Sequence, residues 1–384
     1  MHQRYPRGLV ALLDDLAPQA SFPITSDEQI MPAQQIDLKF TCSGKRVHRY
    51  SGMLAYRSTS PSEDSIDVFN KIIRIRAKRA SVSLSPLQAH NSTVYKQIVK
   101  ALCLYYILER RPNPLREVAI TTTKGRAAPV SSDIQKPGLK QVVGRATDLS
   151  ILGGIDPAKA TILLSESHPG RAVLYASTHL IKSLDSPSPF DRFEKIWRAF
   201  NALYKALARR NTDHACHVQL RDYIQNNPAS FPLSIAKVTP LTSADIRTKI
   251  RWNQMILNNY PTQARTTALR DSIVRNSDPR ILAIYQASLP LRATFLNGAG
   301  FYAAVSAHIN AGIAANVARD SDVLSTLCIK YMYFVRNKMA HAERADHGFT
   351  FLHGSTDEAE VIWLVPFLEA LVIDLINISD SFQP

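Results

Sequence analysis

Apolar residues recur at intervals of three and four through most of residues 186–384, the spacing of helices that bury one face. The pattern is sharpest at Phe190, Phe193, Trp197, Phe200, Tyr204 and Leu207, which predicts an amphipathic helix running to about Ala208. Ser188 suits its N-cap, Pro189 its first turn and Asp191 the capping-box position. Further helices are predicted over roughly 214–226, 243–258, 264–275, 279–288, 297–318, 321–341 and 357–379. In the segment 321–341 the apolar stripe is Leu324, Leu327, Cys328, Tyr331, Phe334 and Val335, with Asp320 or Ser321 as cap. The apolar run from Val361 to Ile378 contains Pro366, Glu369 and Asp374, which marks a buried core helix rather than a membrane span.

The first half has a different texture. Pro-, Ser- and Gln-rich pieces surround a strand-like run from Ile36 to Thr41, and loops are expected to dominate up to residue 65. From Ile72 onward apolar and basic residues alternate. Period two puts Arg74, Arg76 and Lys78 on one strand face and Ile73, Ile75 and Ala77 on the other. A helix is predicted over 92–110, with Val94, Ile98, Leu102, Tyr105 and Leu108 on its stripe and Ser92 or Thr93 as cap. Strands are expected at Glu117–Thr123 and Ala160–Leu164, and a helix at Arg171–Leu184. The run Asp185-Ser186-Pro187-Ser188-Pro189 is the best boundary signal. The reading is therefore an α+β chain: a mixed α/β domain over 1–185, followed by an all-helical domain over 186–384.

Charge adds a partner class. The chain has 384 residues and a formal net charge of +14. Residues 1–185 hold 25 Lys+Arg against 15 Asp+Glu, whereas 186–384 hold 21 against 17, so the surplus lies in the first half. Such a balance favours an anionic partner. The Arg74, Arg76 and Lys78 face, with Lys96, Lys100, Arg110 and Arg111 nearby in sequence, is the best candidate for RNA phosphate contact; its alternative is an edge strand guarded by charge. Cys42, Cys103, Cys216 and Cys328 form no paired motif, and the N-terminus does not read as a signal peptide, so a reducing cytoplasmic location is expected.

Candidate chemistry gathers at Arg336-Asn337-Lys338-Met339-Ala340-His341, at the end of an apolar helix. Asn337 and His341 share a helix face at i, i+4, while Arg336 stands about 140° around from His341. The three converge only if the helix distorts near Ala340, or if two copies meet in a symmetric dimer. These groups suit RNA transesterification. A histidine near neutral pKa can take the 2′-OH proton or protonate the 5′-oxygen, a guanidinium can clamp the charge on phosphorus, and an amide can orient. Neither a metal nor any other cofactor is expected. Asp213-His214-Ala215-Cys216-His217 offers one histidine pair at i, i+3 without a second ligand pair, and reads instead as a helix start capped by Asp213. His347 and His353 flank a short strand-like piece that follows His341.

Arg336 to His341 resembles the Arg, polar residue, three-residue spacer, His signature of HEPN-domain proteins. Arg192–Leu207 (RFEKIWRAFNALYKAL) resembles the first helix of some members. The resemblance covers roughly 190–384. It implies a helical HEPN-like domain acting as a metal-independent endoribonuclease in toxin–antitoxin or antiviral defence, with Arg336, Asn337 and His341 catalytic. It also implies a homodimer, an RNA substrate, an antitoxin or defence partner protein, and no membrane. The alternative is a non-catalytic helical scaffold that binds nucleic acid or protein.

Overall fold

A computed structural model describes residues 33–56, 63–78, 92–123, 130–135, 143–340 and 354–382. The chain is α+β. Strands β1 (Ala33–Phe40), β2 (His48–Ala55), β3 (Glu63–Phe69), β4 (Ile72–Lys78), β5 (Leu115–Thr123) and β6 (Val130–Gln135) form one antiparallel sheet in the order β2-β3-β4-β1-β5-β6. The alternation read from sequence in β4 holds: Ile73, Ile75 and Ala77 are buried, and Arg74 and Arg76 face outward. The edge-strand alternative does not, because β4 lies between β3 and β1. Among the described residues β2, β3 and β6 are additional to the expected strands. In β2 only Leu54 is fully buried, so its sequence carries almost no alternation to read.

One face of the sheet is apolar. Ile36, Leu38, Leu54, Ile66, Val68, Ile73, Ile75 and Val118 are all buried on it, beneath helix α1 (Thr93–Glu109). Each such aliphatic side chain contributes about 1.5–3 kcal/mol relative to exposure. Phe40 of β1 stacks on Tyr105 of α1 at 3.9 Å between centroids, and the Tyr105 hydroxyl donates to the Asn70 carbonyl at 2.8 Å. Ser92 caps α1 as expected, accepting from the Tyr95 N–H at 3.0 Å. The far side of α1 meets the helical body, with Cys103 Sγ 3.2 Å from Thr178 Oγ1. Cover on both sides explains why twelve of its 17 residues are buried, Gln97, Lys100 and Glu109 among them.

Helices α2 (Pro157–Ala160), α3 (His168–Leu184), α4 (Pro189–Ala208), α5 (Asp213–Asn226) and α6 (Pro232–Val238) follow. The strand expected at Ala160–Leu164 is instead a 3-10 turn over Thr161–Leu164. Asp156 caps a short helix led by Pro157 immediately ahead of it, so the chain enters already coiled, with Leu163 and Leu164 turned into the core. Ser188 occupies the N-cap of α4, but its side chain caps nothing and Asp191 bonds Lys195 at 2.6 Å, so no capping box forms. Thr212, not Asp213, caps α5. Apolar packing is continuous from the sheet through α1 and α3 to α4 across residues 185–189.

The rest comprises α7 (Ser243–Lys249), α8 (Trp252–Asn259), α9 (Thr266–Val274), α10 (Pro279–Ser288), α11 (Ala293–Gly298), α12 (Tyr302–Ala315), α13 (Asp320–Ser325), α14 (Met332–Ala340) and α15 (Thr356–Asn377). Two expected helices are broken by non-helical residues, each for a visible reason, and a third, 321–341, is interrupted by a π-helical stretch. The segment 243–258 opens at Ile250–Arg251, where the Arg251 N–H leaves the helical ladder to donate to the Tyr331 hydroxyl at 2.7 Å and to Glu360 at 3.2 Å. The segment 297–318 breaks at Gly300, whose φ of +71° is a left-handed turn suited to glycine. Helix α15 runs through the core as expected, and its buried Asp374 accepts from the Ser234 N–H at 2.8 Å and Oγ at 2.6 Å, satisfying the first turn of α6. Among the described residues no helix is long and apolar enough to cross a membrane.

Candidate functional site

The segment 321–341 is not one regular helix. Between α13 and α14 the residues Thr326–Tyr331 form a π-helical stretch. Such a bulge adds a residue to a turn and turns everything after it by about 100° relative to an unbroken helix. The expected apolar stripe is kept, with Leu324, Leu327, Cys328, Tyr331, Phe334 and Val335 all buried. This distortion lies upstream of Arg336; the one considered near Ala340 falls at the edge of the described residues.

Arg336 and Asn337 stand half-buried on the last described turns of α14. Arg336 Nη1 donates to Asn337 Oδ1 at 3.1 Å, so these two are brought together. That bond occupies the amide oxygen and leaves the Asn337 NH₂ as a donor. His341, His347 and His353 lie outside the described residues. One turn before Asn337, Tyr333 anchors α14 to the rest of the bundle. Its ring lies 4.9 Å from His217 of α5 and 6.2 Å from Trp197 of α4, and Tyr204 of α4 meets the other side of His217 at 4.7 Å. Helices α4 and α14 therefore meet through this aromatic cluster. His217 is packed between rings, and burial pushes its pKa down to about 4.

A cavity of about 390 Å³ opens beside this cluster. The π-helical stretch supplies Thr326, Ile329 and Lys330 to its wall, α5 supplies His217 and Arg221, and the α8–α9 region supplies Tyr260, Ser272 and Arg275. Lys330 donates to the Tyr285 hydroxyl at 2.6 Å and to Ser272 Oγ, and it stands 5.3 Å from the centre of the Tyr260 ring and 5.9 Å from that of Trp252. Burial works against the Lys330 charge, but the phenolic oxygens of Tyr285 and Tyr260 outweigh it and hold its pKa above the ordinary lysine value. Burial alone would raise the Tyr260 phenol; the adjacent Lys330 ammonium brings it below its usual range. The Lys330 ammonium is thus held in the cavity wall by hydrogen bonds to Ser272 and Tyr285. Sequence reasoning missed it, although Lys330 is an isolated cation between Ile329 and Tyr331 in an otherwise apolar run.

On the sheet's outer face Arg74 and Arg76 are not isolated. Arg74 Nε lies 3.0 Å from Asp37, and Arg76 Nη1 lies 2.7 Å from Asp67. The carboxylate of Asp37 is first among the influences that raise the Arg74 pKa. Lys39 and Glu117 make a third pair across the same face at 2.8 Å. Lys78 closes β4, with its side chain outside the described residues. The described part of this face alternates charge instead of presenting one basic stripe. Among the described residues no cluster of three or more His, Cys, Asp or Glu could hold a metal ion. Comparison with protein families, with characterised proteins and with solved structures finds no match to this chain.

Proposed function

We propose that the protein is a metal-independent, cytoplasmic endoribonuclease, with Arg336, Asn337 and His341 as its catalytic groups. The observation that supports this reading best is the Arg336–Asn337 hydrogen bond of 3.1 Å on the half-exposed end of α14, directly ahead of His341. A guanidinium fixed against a neighbouring amide is preorganised to meet a phosphate with its remaining N–H groups. His341 is the general acid or base, Arg336 stabilises the charge developing on phosphorus, and Asn337 orients through its NH₂. Attack of the 2′-oxygen on phosphorus expels the 5′-oxygen, leaving 2′,3′-cyclic phosphate and 5′-hydroxyl ends. The resemblance to HEPN-domain proteins makes a toxin or antiviral effector the biological setting, with a homodimer completing the site and an antitoxin or defence protein restraining it. Arg74, Arg76 and Lys78 would guide the RNA backbone.

Labelled total RNA and transfer RNA, incubated with the protein in EDTA, test this. Cleavage to cyclic-phosphate ends, lost in both Arg336→Ala and His341→Ala, is the expected result. Tight, salt-sensitive RNA binding without cleavage, together with no growth defect on expression, would make the protein a binding scaffold instead.

A further inference from the structure

We infer that the cavity beside the π-helical stretch is a second catalytic centre, an acyl-transfer site in which Ser272 is the nucleophile that opens a small carboxylic ester. Its groups converge from four elements: Tyr260 closes α8, Ser272 stands in α9, Tyr285 in α10 and Lys330 in the π-helical stretch. Ser272 Oγ lies 2.5 Å from the Tyr285 hydroxyl, and the Lys330 ammonium donates to both oxygens, at 2.6 Å to that of Tyr285. Lys330 Nζ also stands 5.3 Å from the centre of the Tyr260 ring. Ser272, Lys330 and Tyr260 all line the cavity of about 390 Å³, which is the size of a small-molecule site, and Ser272 and Lys330 remain partly exposed. Lys330 reaches the serine from a π-helical stretch, a distortion frequent at functional sites.

A serine hydroxyl attacks a carbonyl only when a neighbouring base takes its proton, and a serine beside a lysine is one recurring arrangement. Here phenolic oxygens keep the lysine charged, so the base is Tyr260 and Lys330 is the positioning group that favours its phenolate. Ser272 and Arg275 favour that phenolate too, while burial keeps the Tyr285 phenol neutral. Ser272 Oγ attacks the carbonyl carbon of the ester, and its proton passes to Tyr260. The bond to the alcohol oxygen breaks, and Tyr260 returns the proton to that oxygen as it leaves. Water then attacks the acyl-Ser272 carbonyl by the same route, releasing the carboxylic acid and restoring the serine. Ester and water give acid and alcohol, with no oxidant or other co-reactant. Arg336, Asn337 and His341 take no part, so this centre stands or falls independently of RNA cleavage.

Two probes on the full chain test the inference: 4-nitrophenyl butyrate, followed by release of 4-nitrophenolate, and an alkyl fluorophosphonate, followed by intact mass and peptide mapping. Turnover above the buffer rate is expected, with phosphonylation of Ser272 and loss of fluoride. Ser272→Ala should abolish the labelling and lower turnover at least about a hundredfold, and Tyr260→Phe, which keeps the ring, should lower turnover about as much. The rate should rise with pH through a midpoint below the ordinary tyrosine range. Lys330→Met should move that midpoint upward by about one pH unit or more, which a loss of packing alone would not do. The Ser272 and Tyr260 variants decide the matter even if Lys330→Met fails to fold. Four results would overturn the inference: neither labelling nor turnover, labelling confined to another residue, turnover unchanged in Ser272→Ala, or turnover unchanged in Tyr260→Phe.

Discussion

The Tyr333 ring meets His217 edge-on, at 4.9 Å between centroids and an interplanar angle of 80°. Through that contact α14 is fixed to α5, and through Trp197 at 6.2 Å it is fixed to α4. The half-exposed turn that carries Arg336 and Asn337 is therefore held at its base by aromatic packing. Replacing Tyr333 with Ala should destabilise the fold by about 2–3 kcal/mol, less than a fully buried aromatic because Tyr333 is only half-buried. Tyr333→Phe should stay within about 1 kcal/mol, since the ring is what packs. Urea unfolding midpoints at constant m-value measure both. Equal losses in the two variants would mean that the hydroxyl, not the ring, does the holding.

The same contact sets a pH dependence. The folded His217 pKa is pushed down to about 4 from 6.5, chiefly by burial. Between those values the unfolded chain binds a proton that the folded chain does not. Stability from this group is therefore complete above about pH 6.5 and is lost as pH falls toward 4. The free energy involved is on the order of 3 kcal/mol. His179, also lowered to about 4 by burial, titrates through the same window and leaves a residual slope. Melting temperatures from pH 7 to pH 4 should fall less steeply in His217→Phe than in the parent protein. Identical slopes would show that His217 carries its proton in the folded chain.

A buried ion pair ties the sheet to the helices. Lys100 of α1 is fully buried, and its ammonium donates to Glu166 at 2.7 Å, to the Ala55 carbonyl at 2.6 Å and to the Leu164 carbonyl at 3.0 Å. Lys96 reaches the other Glu166 oxygen at 2.6 Å. Glu166→Ala leaves the Lys100 charge buried without its counterion and should cost about 3–5 kcal/mol. The double variant Lys100→Met with Glu166→Leu removes both charges and should recover most of that loss. Chemical denaturation of the three proteins decides the matter. A double variant as unstable as Glu166→Ala would mean that the three-way hydrogen bonding, rather than the unpaired charge, is what the fold depends on.

These relationships explain what could be read from the sequence. Local periodicity was enough for β4, α1, α4 and α15, because each buries one side or all sides in a regular rhythm. It was enough, too, to place Arg336 and Asn337 at the end of an apolar helix. Strand β2 was illegible because its register is fixed by pairing with β3 and not by its own apolar residues. The break at Arg251 depends on Tyr331 and Glu360, which lie 80 and 109 positions away, so no window around residue 250 contains it. Lys330 is similar: its partners Ser272 and Tyr285 come from other helices, and only the assembled bundle turns an odd lysine into the wall of a cavity.

The pairing on the sheet's outer face bears on how RNA would bind there. Arg74 and Arg76 already engage Asp37 and Asp67, so phosphate must compete with carboxylate for each guanidinium. If both contact a single-stranded backbone, Arg74→Gln with Arg76→Gln should lower the magnitude of the slope of log affinity against log salt by about 1.4, at roughly 0.7 per phosphate. Asp37→Asn with Asp67→Asn should act oppositely: it frees both guanidiniums, removes two repulsive charges and tightens binding at low salt. Fluorescence anisotropy with a labelled oligonucleotide over a range of potassium chloride concentrations reads both effects. A slope unaltered by the double arginine substitution would assign the face to ion pairing within the sheet, and the route of the RNA would then lie elsewhere on the molecule.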